Sequence, residues 1–175
     1  MRDDLAEQIN RVARLEGSFV LRSGQRSTHY FDKYRFEAEP DLLRRVASRM
    51  LAKVPRDVEI LAGLELGGVP LATAMSLESG LPTVFVRKTA KAYGTCRAVE
   101  GVEVRGRRVL IVEDVITTGG AVTDAAALLA QEGAVVVGII CAIWRGGDPM
   151  TLATLPDVPV NAALTENDLR LPDAP

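Results

Sequence analysis

The chain has 175 residues, of which 21 are Lys or Arg and 23 Asp or Glu, for a formal net charge of −2, and 47% are apolar. That size and balance suit one globular domain that buries a core without disulfides or a structural metal, and they offer no basic surplus for general nucleic-acid binding. Cys96 and Cys141 lie far apart beside a single histidine, which argues against a disulfide framework and a zinc site and for a reducing, cytoplasmic setting; no apolar run approaches the roughly 18 residues of a membrane span.

Leu5, Ile9, Val12 and Leu15 recur at spacings of three and four, predicting an amphipathic helix over 3–15 that Gly17 helps to end. "SFVLRSG" and "STHYFDKYRF" are rich in aromatic and β-branched residues around a Gly-containing turn, predicting a small hairpin or hood. Residues 1–39 thus read as a helix and hood, and 40–175 as the core of a single domain. A helix near 40–53 is followed by "VEILAGLE" as a strand, "GVPLATAMSLESG" as a helix and "PTVFVRK" as a strand. Residues 89–104 show no apolar period and read as a long mobile loop, a length that is usually functional. "RRVLIVEDV" then reads as a buried strand, "GGAVTDAAALLAQEG" as a helix closed by Gly133, and "AVVVGIICAIW" as a strand buried on both faces. The tail offers one more strand and a short helix with Thr165 and Asp168 spaced as a capping pair. The expected architecture is α/β, a mostly parallel sheet flanked by helices. Met50, Met75 and Leu77 are expected in the core, His29 as a structural or surface residue, and Cys96 as an inert thiol.

In open α/β sheets ligands bind beyond the carboxyl ends of the strands, and three strand ends here are unusual. In "VLIVEDVITTGGAV" the strand runs into Glu113 and Asp114, then residues 115–120 turn into a helix whose first amides point outward. Val115, Ile116, Thr117, Thr118, Gly119, Gly120 and Ala121 offer amides and hydroxyls to an anion. A plain N-capped turn would not account for two acids in front of it. The acids suit the hydroxyls of a vicinal diol while the loop suits a phosphate, so the expected ligand is a ribose 5-phosphate. The chain holds neither G-K-[ST] nor G-x-G-x-x-G, which excludes a Walker A loop and a Rossmann fingerprint. The second strand end is Glu65-Leu66-Gly67-Gly68, and the third is "FVRKTAKAYGTCRAVEG", with Arg87, Lys88 and Lys91 ahead of Tyr93-Gly94.

Acid-acid-x-x-Thr-Thr-Gly-Gly after an apolar strand resembles the type I phosphoribosyltransferase signature for phosphoribosyl pyrophosphate (PRPP). The resemblance runs from Phe19 to Leu169 and is to the orotate phosphoribosyltransferases in particular. It implies that residues 65–68 carry pyrophosphate on backbone amides, often through a strained peptide. It gives catalytic roles to Arg87, Lys88 and Lys91 in a loop, 88–104, that closes over the site. Tyr93 stands where this family has histidine; it keeps a donor but cannot become cationic. "FVLRSGQRSTHYFDKYRFE" resembles the family's pyrimidine-binding segment, which places Arg22, Tyr30 and Phe31 on the base. Arg22 replaces a lysine, and Tyr30 and Phe31 fit ordinary core packing equally well. Thr117 and Arg145 complete the implied orotate site, since a carboxylate is the natural partner of a bidentate arginine; a surface salt bridge is the competing account of Arg145.

The implied reaction joins orotate to PRPP, giving orotidine 5-monophosphate and pyrophosphate, with Mg²⁺ carried by PRPP rather than by dedicated ligands. The implied assembly is a homodimer in which Arg87 and Lys91 act partly on the neighbour's site, with no nucleic acid or membrane involved. A PRPP-sensing regulator and an enzyme using another base are the alternatives.

Overall fold

The computed structural model describes residues 4–20, 24–89 and 98–170. Helix α1 (Asp4–Ala13) leads into a hairpin of β1 (Arg14–Val20) and β2 (Arg26–Phe31), followed by α2 (Lys33–Glu37) and α3 (Pro40–Leu51). The core then alternates β3 (Ile60–Leu64), α4 (Gly68–Ser79), β4 (Thr83–Val86), β5 (Val99–Gly101), β6 (Arg108–Ile116), α5 (Gly120–Gln131), β7 (Val135–Trp144) and β8 (Val160–Thr165). Six strands form one sheet in the order β5-β4-β3-β6-β7-β8, parallel except for β5, as the β-α-β rhythm of the sequence predicts.

Alternation along the central strands explains the two layers that cover this sheet. Leu110 and Val112 of β6 face one way, into a core with Ile9, Phe36, Val46, Met50, Leu71 and Met75 from α1 to α4. Val109 and Ile111 face the other, into a core with Val122, Ala125 and Leu129 of α5. The period of two is what lets one apolar run serve both layers. β4 lies on one side of β3 and β6 on the other. The winding therefore reverses between β3 and β6, and a ligand crevice is expected beyond their carboxyl ends.

Several expectations shift. The first helix ends at Ala13, and Leu15 and Gly17 lie in β1, where Leu15 pairs with Tyr30. Ladder bonds of the hairpin override the helical period there. The second half of "STHYFDKYRF" is helical rather than extended, with Phe36 fully buried. Residues 98–104 are not part of a mobile loop: Arg87 N donates to Ala98 O at 2.8 Å, β5 pairs antiparallel with β4, and Val99 and Val104 are buried. Residues 90–97 of that segment lie outside the described residues. After β8 the chain makes a turn, not a helix, although the Asp168 carboxylate accepts from Thr165 N and Oγ1 at 2.7 and 2.8 Å as the capping spacing predicts. Leu77 is 85% exposed on α4, so it is not core, whereas Met50 and Met75 are fully buried.

Candidate active site

The β6–α5 turn supplies the floor of the crevice. Thr117 and Thr118 follow β6 as an exposed bend, and Gly119 turns the chain at φ 77°, in the left-handed region that favours glycine. α5 starts at Gly120 with no side chain capping it, so its first-turn amides are left for another acceptor. A cavity of about 640 Å³ opens above them, lined by residues 115–122 together with Glu65, Arg87, Lys88 and Glu113. The exposed end of a twelve-residue helix, two hydroxyls and two cations favour an anion there.

Glu113 and Asp114 are adjacent in a strand and so point to opposite faces of the sheet. Glu113 shares the face of Val109 and Ile111 and lines the cavity; it is 8% exposed, and its Oε1 accepts from Asp114 N at 2.9 Å. Burial, then the Asp114 charge, pushes its pKa up to about 8. Burial at this position therefore favours its protonated form in the free protein. Asp114 is 1% exposed and faces the α2 and α4 side. It forms an ion pair with Lys33, and its Oδ1 accepts from Val115 N.

The β3–α4 turn comes up against the same acid. A Cβ on Gly67 would fall onto the Asp114 carboxylate, and one on Gly68 onto the Val112 carbonyl, so both glycines permit a close approach of the two turns. The Glu65–Leu66 peptide is cis. Glu65 accepts from Lys88 N at 3.1 Å and so ties this turn to the end of β4. Arg87 Nε is buried and has no acceptor among the described residues, which leaves it available to a ligand in the cavity it lines.

The residues expected around the base are more dispersed. Tyr30 stacks on Phe19 with centroids 5.5 Å apart, and Phe31 packs against the core on the α1–α4 face; neither lines the cavity. Both thus make packing contacts in the free protein, with Tyr30 still 44% exposed. Arg145 follows β7, and its amide donates to Ile116 O at 2.8 Å, which sets it beside the turn. Its guanidinium donates through Nε and Nη2 to Glu166 Oε1 at 3.3 and 3.1 Å, the salt bridge that competed with the base-binding account. Leu66, Gly67, Gly68 and Asp114 border the crevice without lining the cavity. Arg22, Lys91 and Tyr93 lie outside the described residues.

Lys33 and Glu37 were not singled out from the sequence. They stand four apart on α2, the spacing of neighbours on one helix face, but reading the segment as a strand hid it.

Comparison with known proteins places this geometry. The family model described as a phosphoribosyl transferase domain matches residues 35–156. An orotate phosphoribosyltransferase of Nocardioides sp. is 57% identical over 141 residues, covering 81% of this chain and 79% of that one. The crystal structure of Mycobacterium tuberculosis orotate phosphoribosyltransferase with Fe(III) dicitrate superposes with a TM-score of 0.82 at 33% identity, covering 96% of this chain and 98% of that one. The same protein in complex with PRPP gives a TM-score of 0.78 at 28% identity, covering 96% and 98%.

Proposed function

The chain belongs to the phosphoribosyl transferase family, among the orotate phosphoribosyltransferases, and from that premise we infer that it transfers the phosphoribosyl group of PRPP to orotate, releasing pyrophosphate, in pyrimidine biosynthesis. The observation that carries the reading is the β6–α5 turn, where two buried acids precede a Thr/Gly bend at an uncapped helix start. In this reading residues 117–121 take the 5-phosphate on amides and hydroxyls, while Glu113 and Asp114 take the ribose hydroxyls from the two sides of β6. A protonated Glu113 still suits a hydroxyl, because a carboxylic acid both donates and accepts.

Glu65, Leu66, Gly67 and Gly68 would receive the pyrophosphate, with Arg87 and Lys88 supplying charge and Lys91 and Tyr93 completing the loop. Transfer at an anomeric carbon passes through an oxocarbenium-like state, so catalysis rests on orienting the sugar and stabilising the departing pyrophosphate. Mg²⁺ carried by PRPP would neutralise part of the pyrophosphate charge. Glu65 is a hard oxygen donor of the kind this cation prefers and lies where the pyrophosphate would sit. Arg145 would meet the orotate carboxylate by exchanging Glu166 for it, Thr117 would border the base, and Arg22, Tyr30 and Phe31 would cover it. Residues 1–39 then act as the hood of one domain with 40–175. We place the enzyme in the cytoplasm as a homodimer working without nucleic acid or membrane; among the described residues no helix is long and apolar enough to cross a membrane.

An ultraviolet assay with PRPP and Mg²⁺ against orotate, uracil, hypoxanthine and adenine tests the substrate. Loss of absorbance with orotate alone is expected. Turnover of a purine instead, or PRPP binding with no turnover of any base, would overturn the assignment in favour of another base or of a PRPP sensor.

A further inference from the structure

Asp114 is the acid of this site that lies against the sheet face covered by α1 to α4, and two side chains of the short helix α2 converge on it. Lys33 forms an ion pair with its Oδ2. One turn on, Glu37 is 6% exposed, its carboxyl faces that of Asp114, and neither Glu37 oxygen has a hydrogen-bond partner among the described residues. Two buried carboxyls face to face are compatible only when one holds a proton or a cation stands between them. Lys33 supplies a cation beside Asp114, and burial favours the protonated form of Glu37. We propose that Lys33 and Glu37 are positioning residues for Asp114, the lysine through its ion pair and the glutamic acid as its buried neighbour one turn on, so that Asp114 is held at one angle for the ribose hydroxyls of the substrate.

Surrounding chemistry supports this division. Burial works against the Lys33 ammonium, but its bond to Asp114 and that carboxylate's charge outweigh it and raise its pKa above the ordinary value. Burial and then the Asp114 charge push the Glu37 pKa up to about 8, with Lys33 opposing and Asp32 adding to the rise. The Lys33 ammonium is thus favoured beside Asp114, while burial favours the neutral form of Glu37. Gly67 closes the remaining side, because a Cβ there would displace the Asp114 carboxylate. The carboxylate is confined by α2, by the β3–α4 turn and by its bond from Val115 N. A ligating group oriented by outer partners in this way loses affinity when those partners are removed, even though they never touch the ligand.

The inference rests on the assignment of Asp114 to the ribose hydroxyls, and calorimetric titrations at pH 7 with Mg²⁺ separate the two. Asp114→Asn should abolish measurable binding of PRPP and of ribose 5-phosphate; if it does not, the assignment of the site itself fails. With that established, Lys33→Met and Glu37→Leu should each weaken both sugar phosphates by about 10- to 100-fold, the scale on which outer partners act. Inorganic phosphate, which needs only the Thr/Gly turn, should bind as before, and Lys33→Arg should recover most of the sugar-phosphate affinity. Lys33 is about a third exposed, so its variants carry the test alone if Glu37→Leu does not fold. Unchanged sugar-phosphate binding in Lys33→Met, or an equal loss for inorganic phosphate, would overturn the proposal.

Discussion

At the scale of single residues the site is governed by how few charges it keeps. Glu37 has a folded pKa of about 8 against an ordinary 4.5, raised by burial and by Asp114. Between those values the folded protein retains a proton that the unfolded chain has released, so stability falls as pH rises. The contribution is fully present below the unfolded value and lost on passing through the folded one. Glu37→Gln removes this titration. Its melting temperature relative to the native chain should therefore increase steadily from about pH 5 to about pH 9, read by thermal unfolding; a constant offset across that range would refute the buried-acid account. Individual residues were legible in the sequence where consecutive positions line one crevice, as at 115–121. Lys33 and Glu37 were not, because they meet Asp114 across almost eighty positions of chain and only the fold brings them together. Arg145 was legible in place but not in partner, since the turn that follows β8 delivers Glu166 to it.

At the scale of elements, periodicity was a sound guide in the long elements of the core. The strands β3, β6 and β7 and the helices α3, α4 and α5 fall where their apolar patterns put them. Pattern failed at α1 and α2, where a hairpin ladder and a single buried Phe36 decide the conformation over only a few residues. It failed again at residues 98–104, because the strand β5 is three residues long and is specified by β4 beside it rather than by its own sequence. That strand borders the segment to which the resemblance gives a catalytic role. Arg87 and Ala98, on either side of Lys91 in the sequence, are joined by a backbone bond at 2.8 Å on the sheet edge. Lys91→Ala should then lower kcat by roughly two orders of magnitude or more, the scale of losing one preorganised charge donor, while the melting temperature stays unchanged. Steady-state assays with orotate and PRPP beside a thermal scan check this, and near-normal turnover would remove Lys91 from the mechanism.

At the scale of the whole molecule, one chain brings to its own crevice the Thr/Gly turn, Glu113, Arg87 and Lys88, with Asp114 at its border. The resemblance adds that Arg87 and Lys91 act partly on the neighbouring subunit's site, which would make assembly a part of catalysis. Two variants separate the possibilities. Lys91→Ala removes the loop charge and Asp114→Asn removes the ribose acid, so each should be nearly inactive alone. In a homodimer whose loops cross, a mixed dimer places the intact loop of one subunit over the intact acids of the other. It restores one complete site and leaves the second doubly impaired. Random exchange of equal amounts makes about half the dimers mixed, so about a quarter of all sites should regain full turnover in a closed two-fold assembly. If Lys91 served its own chain, no site in the mixture would be complete and activity would stay at the level of the separate variants. Exchange followed by the ultraviolet assay, with mass in solution measured on the same samples, decides between the two arrangements; an active monomer would exclude the shared site outright.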